Sequence, residues 1–157
     1  MRSVGKRGLM TMDIFSTRFG AVEVQPDDVL HFPEGLPGLE ACRDWILLAE
    51  AESDSVAWLQ SVDRADVALA VVSPRRFVPD FQMRVARREL DPLALDEVRG
   101  AQVLVVVSRT ERRLTLNLKA PIVVNLRRRL ARQVIANGDL PVQHELGTPL
   151  STLRRSA

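Results

Sequence analysis

Apolar residues in this chain come in short runs rich in valine, leucine and isoleucine, separated by prolines, glycines or charged residues. Short β-branched runs bounded by turn residues are typical of strands in a sandwich or barrel. The pattern therefore predicts an all-β fold, a compact barrel or roll of short, mostly antiparallel strands with about one short helix. We place the strands at residues 12–17, 21–24, 29–32, 45–49, 57–61, 67–72, 81–86, 101–107, 114–118, 122–126, 133–136 and 140–145.

Three segments carry the most definite local predictions. In residues 81–86, apolar side chains alternate with polar ones, which is the clearest signal in the chain for a half-exposed strand. Residues 101–107 form the most continuous apolar run, which favours a strand buried on both faces. Residues 90–98 have helical spacing, with Asp91 as N-cap and Pro92 at the first helical position.

Glycine and proline mark the turns. Phe19-Gly20 predicts a hairpin turn after the first strand, and the Asn137–Asp139 segment predicts another turn. Residues 32–40 contain two prolines and two glycines, so they form a bent loop, either structured or flexible. The pattern is absent before residue 12 and fades after residue 145. We therefore expect a single domain at 12–145, a mobile leader at 1–11 and a mobile tail at 146–157.

Composition narrows the class of protein. The 157 residues include one cysteine, Cys42, which excludes a disulfide within the chain and a cysteine-based zinc site. No stretch approaches the ~20 apolar residues of a membrane span, and no secretory signal is present, so we expect a cytoplasmic protein with no membrane partner. The net charge of +2 combines −5 in residues 1–80 (8 basic, 13 acidic) with +7 in residues 81–157 (14 basic, 7 acidic).

The residues that usually carry catalysis are scarce. The only histidines, His31 and His144, lie far apart in the sequence, and the chain has none of the common phosphate-binding, nucleophile or metalloprotease motifs. We therefore predict no catalytic residue, no metal and no cofactor. The rival hypothesis is an enzyme whose site is assembled from scattered residues such as His31, Asp80 and Glu97.

An arginine cluster supports a second alternative, a small arginine-rich RNA-binding β domain. Arg127, Arg128, Arg129 and Arg132 have the charge needed to neutralise adjacent phosphates. Readers of single-stranded RNA also use aromatic stacking platforms, however, and this chain has no tyrosine and only 4% aromatic residues. We therefore expect no direct nucleic-acid partner.

Three motifs are more specific than composition: residues 32–40 (FPEGLPGLE), residues 58–61 (WLQS) and residues 117–125 (NLKAPIVVN). Together with the turn at residues 17–20, the Pro79-Asp80-Phe81 segment and Gln133-Val134-Ile135, they resemble the FliW family of flagellar assembly factors in order and spacing. The resemblance covers about residues 12–145. Leu39 is a mild departure, because the family often has phenylalanine there.

The resemblance implies a function. A FliW-like protein is expected to bind the translational regulator CsrA and antagonise its repression of flagellin mRNA, with flagellin as the alternative partner. For the partner contacts we select exposed residues near the motifs, including acidic ones suited to a basic RNA-binding protein. These are Glu34, Leu36, Leu39, Glu40, Gln60, Asn117 and Asn125. Each of these residues could instead be required for the fold. For any one of them, a role in the fold is favoured over a contact with a partner.

Overall fold

A computed structural model describes residues 11–50 and 52–146, apart from the side chain of Val98. This part of the chain is mostly β, with eleven strands and one α-helix of four residues, α1 (Arg87–Leu90). Single turns of 3-10 helix occur at Pro26–Asp28, Pro74–Arg76, Asp91–Leu93 and Val98–Gly100. The strands are β1 (Met12–Ser16), β2 (Gly20–Val24), β3 (Val29–His31), β4 (Asp44–Ala49), β5 (Val56–Ser61), β6 (Ala68–Val72), β7 (Gln102–Thr110), β8 (Arg113–Leu116), β9 (Ile122–Asn125), β10 (Leu130–Gln133) and β11 (His144–Glu145).

Seven of the strands close into a barrel. Strands β3 to β7 pair in sequence order, β7 then pairs with β9, β9 with β10, and β10 returns to β3. The pair β10–β3 is parallel, and all the other strand pairs are antiparallel. Strands β8 and β11 continue the sheet beyond β7, and β1–β2 is a separate hairpin. The prediction of an all-β barrel of mostly antiparallel strands is confirmed.

The barrel interior is filled by alternate residues of its strands, because successive side chains of a strand point to opposite faces. Trp45, Leu59, Val71, Leu104 and Ile122 meet there, each at most 5% exposed. The ring of Phe32 packs edge-on against that of Trp45, with 6.1 Å between ring centroids.

Three smaller apolar clusters cover the outer face of the barrel. The β1–β2 hairpin packs Ile14 and Val24 on Ile46 of β4. A second cluster gathers Val72, Phe81, Val105, Leu116 and Leu118 around β6, β7 and β8, and a third gathers Leu93, Val123 and Val134 outside β9. The predicted Phe19-Gly20 turn is confirmed by the hairpin, where Gly20 has φ +74°.

The strand predicted at 81–86 is wrong. These residues join no strand ladder, although their alternation is real. Phe81 enters the second outer cluster, and Met83 and Val85 pack against the third. The alternation of apolar and polar residues at 81–86 therefore belongs to a segment that packs on the outside of the barrel. It does not belong to a strand of the sheet.

The helix predicted at 90–98 is displaced towards the N-terminus. It begins at Arg87 after Ala86, and Asp91 follows its last turn instead of capping its first. Pro92 lies in the 3-10 turn, which ends at Ala94 with φ +52°. The side-chain amide of Asn125 donates to the backbone oxygen of Leu93 at 2.8 Å, and this contact from β9 holds the segment in a turn.

Three other strand predictions need correction. The strand expected at 133–136 is β10, at Leu130–Gln133, and the strand expected at 140–145 shortens to the two residues of β11. Strand β7 is longer than predicted, and its burial on both faces is wrong, because only Leu104 and Val105 are buried. Its second half leaves the barrel to pair with β8. The predicted leader and tail lie outside the described residues except for Thr11 and Leu146, and their mobility stays a prediction.

Candidate protein-binding surfaces

The loop at residues 32–40 is structured. Leu36 and Leu39 form a β-bridge across its tip, and Gly35 and Gly38 have φ +66° and +83°. A Cβ atom on Gly35 would lie 2.8 Å from Cα of Glu40, so only glycine fits where the two arms of the loop cross.

The loop residues selected from the sequence lie in different environments. Leu36 is only 3% exposed and belongs to the barrel core, so its predicted exposure is wrong. Leu39 is half-buried against the same core. Glu34 is exposed and accepts from the Arg132 guanidinium at 3.0 Å. Glu40 is exposed, and the backbone N–H of Gly38 donates to it at 3.0 Å, which lowers the pKa of this carboxyl.

Gln60 is not a surface residue either. Its side chain is fully buried beneath the β1–β2 hairpin, where its Oε1 accepts from the Ser16 hydroxyl at 2.7 Å. Its Nε2 donates to the backbone oxygens of Ser61 (3.0 Å) and Val67 (3.1 Å) in the β5–β6 turn. The prediction that Gln60 is exposed is therefore wrong, because it ties the hairpin to the barrel.

The two asparagines hold turns. Asn125 is 5% exposed, bonds to Leu93 as described above, and accepts from the backbone N–H of Arg127 at 3.1 Å, so its predicted exposure is also wrong. Asn117 is half-buried, and its Oδ1 accepts from the backbone N–H of Ala120 at 3.0 Å. Burial thus leaves Glu34, Glu40 and part of Leu39 accessible in the loop at 32–40, and part of Asn117 accessible on another segment, after β8.

The arginine cluster is partly engaged within the molecule. Arg127 pairs with Asp96 at 2.9 Å, and Arg129 donates to the backbone oxygen of Asp28 at 2.8 Å. Arg132 is mostly buried between Glu34 and Glu89. Arg127 is nevertheless 82% exposed, and Arg128 is exposed beside it, so the absence of a nucleic-acid partner stays a prediction.

The residues of the enzyme hypothesis are not gathered into a site. His31 lies 2.7 Å from Asp44 on the neighbouring strand, whereas Glu97 pairs with Arg99 at 3.8 Å. Two concavities of the described chain, of about 530 and 390 Å³, are lined by other residues than His31, Asp80 and Glu97. Residues 11–50 and 52–146 contain no group of three histidine, cysteine or acidic residues able to hold a metal ion. In the same residues no helix has the length and apolarity needed to cross a membrane.

The larger of these two concavities is an apolar groove of about 530 Å³ on the outside of the barrel. It opens where β6 and β7 separate. The two strands pair only at Val71–Val106 and Val72–Val105, while residues 68–70 and 107–109 face the opening. The groove floor is formed by aliphatic and aromatic side chains, including Val56, Trp58, Leu69, Ala70, Val72, Phe77, Val106, Val107, Leu114 and Leu116. We call this feature the β6–β7 groove.

Charged residues lie on both sides of the β6–β7 groove. On the β5 side, Glu50 lines the groove and accepts from the indole N–H of Trp58 at 2.9 Å, and Glu52 and Asp54 are exposed in the same β4–β5 loop; we call these three residues the acidic rim. Arg109 lines the opposite side on β7. Arg18 of the β1–β2 turn also lies on the β5 side, over the Trp58 ring at 3.9 Å from its centroid, so one cation adjoins the acidic rim.

Sequence reasoning missed the groove. Its residues belong to ordinary strand runs, and no motif distinguishes them. The only available signal was the length of the apolar run at 101–107, which predicted complete burial instead.

Comparison with known proteins decides the family. The family model described as FliW protein matches residues 13–146. The chain belongs to the FliW family. It is 32% identical to the flagellar assembly factor FliW of Natranaerobius thermophilus over 150 residues, covering 93% of this chain and 99% of that protein. It is 34% identical over 145 residues to flagellar assembly factor FliW 2 of Desulfotalea psychrophila, covering 92% and 94%.

The fold agrees with this membership. A crystal structure of the flagellar assembly factor FliW superposes with a TM-score of 0.81 at 26% identity, covering 87% of this chain and 98% of that one. The resemblance of the three sequence motifs to the FliW family is therefore confirmed, and the protein is a flagellar assembly factor.

Proposed function

We propose that this FliW-family protein acts in the cytoplasm by binding a CsrA-type regulator and flagellin as alternative partners, without catalysis. Binding of the regulator prevents it from repressing flagellin mRNA. Free flagellin competes for the same protein, so its accumulation returns the regulator to its mRNA target by mass action. Membership of a family of flagellar assembly factors supports the role, and the resemblance described above supplies the partners.

The β6–β7 groove is the surface that best supports partner binding. Apolar side chains left in a concave surface have free energy to gain from being covered, at about 25 cal/mol per Å² of apolar area. The acidic rim of Glu50, Glu52 and Asp54 suits a basic partner by charge complementarity. We place the contact with at least one partner here, and not on the motif residues that the fold buries.

A competition experiment tests the function. The purified protein is titrated with the CsrA and the flagellin of its own organism, separately and together, by calorimetry. We expect each to bind alone and flagellin to reduce CsrA binding in proportion to its occupancy. Absence of binding to both partners at moderate salt would contradict the proposal, and simultaneous binding of both would contradict the exchange.

A matched pair of substitutions tests the location. Ala70→Asp places a carboxylate on the groove floor, and Ala21→Asp places the same group on the exposed β2 strand of the hairpin. We expect Ala70→Asp to weaken binding of the partner that uses the groove by about tenfold to a hundredfold, or about 1.4–2.8 kcal/mol. Ala21→Asp leaves it unchanged. Equal affinities for the two variants would move the site away from the groove.

A further inference from the structure

Trp58 lies on the floor of the β6–β7 groove with a cation over one face of its ring. It is half-buried on β5, opposite Ala70 of β6. Phe19 packs against the ring in an edge-to-face arrangement, with 6.3 Å between ring centroids, and Glu50 accepts from the indole N–H. The guanidinium of Arg18 lies 3.9 Å from the ring centroid. The protein itself therefore supplies a cation to an aromatic ring of its groove.

The turn that carries Arg18 is held by its backbone and not by the guanidinium. The Ser16 hydroxyl accepts from the backbone N–H groups of Arg18 at 3.1 Å and Phe19 at 3.0 Å. The N–H of Thr17 donates to the backbone oxygen of Ala65 at 2.8 Å. The side chain of Arg18 is exposed and, among the described residues, forms no ion pair with an acidic group. Rotation of this side chain alone therefore uncovers the Trp58 ring.

Glu50 leaves a hydrogen-bond acceptor beside the same ring. Its Oε1 accepts from the Trp58 indole N–H at 2.9 Å, whereas its Oε2 has no hydrogen bond within the part of the chain that the structure describes. A guanidinium can both stack on an aromatic ring and donate to a carboxylate in its own plane. Trp58 and Glu50 together offer both interactions, and Arg18 makes only the first.

We propose that Trp58 and Glu50 form a recognition site for an arginine side chain of a protein partner, and that Arg18 occupies this site in the free protein. The partner's arginine replaces Arg18 over the ring and also pairs with Glu50. The apolar floor beside it, at Ala70 and Val72, receives the apolar residue next to that arginine. Arg18 is thus an internal competitor that lowers the affinity for a cationic partner. That the arginine belongs to a partner rests on the proposed function, whereas the recognition site does not.

The competition has a definite size. At exposed sites, a cation over an aromatic ring is favoured by about twofold to fivefold over the open arrangement. The ring is then uncovered in about one third to one sixth of the free molecules, and the apparent dissociation constant rises by the inverse of that fraction. Removal of the Arg18 guanidinium should therefore strengthen the binding of an arginine side chain by about threefold to sixfold.

Two small probes, titrated into the full chain and followed by NMR, test the site without a partner. They are Ac-Leu-Arg-NH2 and its uncharged citrulline analogue, and the signals are the indole N–H groups of Trp58 and the buried Trp45. We expect the arginine probe to shift the Trp58 signal to saturation and leave that of Trp45 in place. The citrulline probe should bind at least about threefold more weakly, because it lacks the cation. Equal binding of the two probes would overturn the proposal. A Trp58 signal that moves with protein concentration before any probe is added would assign the site to a second copy of the chain, and would also overturn it.

Two matched pairs of variants separate these contacts from the general charge of the protein. Arg18→Gln should tighten binding of the arginine probe by about threefold to sixfold, whereas Arg112→Gln, in the exposed β7–β8 turn, should leave it unchanged. Glu50→Gln keeps an acceptor for the indole N–H but removes the charge, so we expect binding about fivefold weaker. The same change at the exposed Glu23 of β2 should have no effect. Unchanged or weaker binding by Arg18→Gln would overturn the role of Arg18 as a competitor.

The partner experiment distinguishes this inference from the proposed function. A partner that binds in the groove should gain the same threefold to sixfold in affinity from Arg18→Gln. If the probes behave as expected and neither CsrA nor flagellin binds, the site stands and the proposed function fails. If a partner binds but the probes do not distinguish arginine from citrulline, the function stands and the arginine site is overturned.

Discussion

The loop at residues 32–40, which carries a sequence motif, and the β6–β7 groove differ in both sequence signal and openness. The loop is rich in sequence signals and closed in structure, with Leu36 in the barrel core and Gly35 pressed against Glu40. The groove has no sequence signal and is an open apolar concavity of about 530 Å³. The comparison teaches that recognisable motifs in this chain mark positions where the fold tolerates few residue types, whereas its open apolar surface is built from interchangeable aliphatic residues.

Gln60 gives the strongest test of the structural role of the motifs. Gln60→Ala removes the acceptor of the Ser16 hydroxyl and the donor for the Ser61 and Val67 oxygens, in a fully buried position. Unpaired buried polar groups cost about 1–3 kcal/mol each, so we expect a loss of about 3–4 kcal/mol in the free energy of unfolding. Thermal unfolding should shift down by roughly 10 °C.

Ala70→Asp is the matching change in the groove. Ala70 is half-buried and borders open space, so the carboxylate remains hydrated, and we expect less than about 1 kcal/mol of destabilisation. Urea unfolding of both variants measures the contrast. If Gln60→Ala unfolds like the unsubstituted protein while Ala70→Asp is strongly destabilised, the assignment of roles to the two regions is reversed.

The two glycines of the loop sharpen the comparison within the motif itself. Both have positive φ, but a Cβ on Gly35 meets the backbone of Glu40 at 2.8 Å, whereas a Cβ on Gly38 meets nothing within 4 Å. Gly35→Ala should therefore lower the free energy of unfolding by about 2–3 kcal/mol, from backbone strain plus the clash. Gly38→Ala should cost only about 1 kcal/mol, from strain alone. Equal losses in chemical unfolding would show that the loop opens to relieve the clash.

The sequence predicted most of the barrel but little of the surface. Local runs such as those of β4, β5 and β6 specify their strands directly, because alternate side chains must face the interior. The segment at 81–86 shows the same alternation without a strand, since its apolar residues face two different outer clusters. The position of α1 depended on a contact from Asn125, 32 residues from Leu93 in the sequence.

The candidate contact residues show the limit of motif reasoning. Gln60 and Asn125 are polar, and their sequence neighbours do not reveal that each has its hydrogen-bond partners in a distant segment or a turn. Whether a polar side chain is buried with partners or exposed to solvent is decided by tertiary packing, not by spacing. The groove depends on where β6 and β7 stop pairing, and nothing in either strand's sequence marks that position.

Glu40 gives the smallest effect, confined to the exposed part of the loop. The backbone N–H of Gly38 stabilises the carboxylate first, with a further backbone contribution from Glu40 itself, and together they lower the pKa of Glu40 below its ordinary value of 4.5. A carboxyl whose pKa is lowered by folding stabilises the folded state above its unfolded pKa and loses that contribution as the pH falls through its folded pKa. The loop should therefore weaken below about pH 4.5, and Glu40→Gln should remove this part of the pH dependence. Carbon-detected titration of the side-chain carboxyl measures it directly. A Glu40 pKa at or above 4.5 in the folded protein would show that the carboxylate is not held by the loop backbone, and that this part of the loop is as open as the groove.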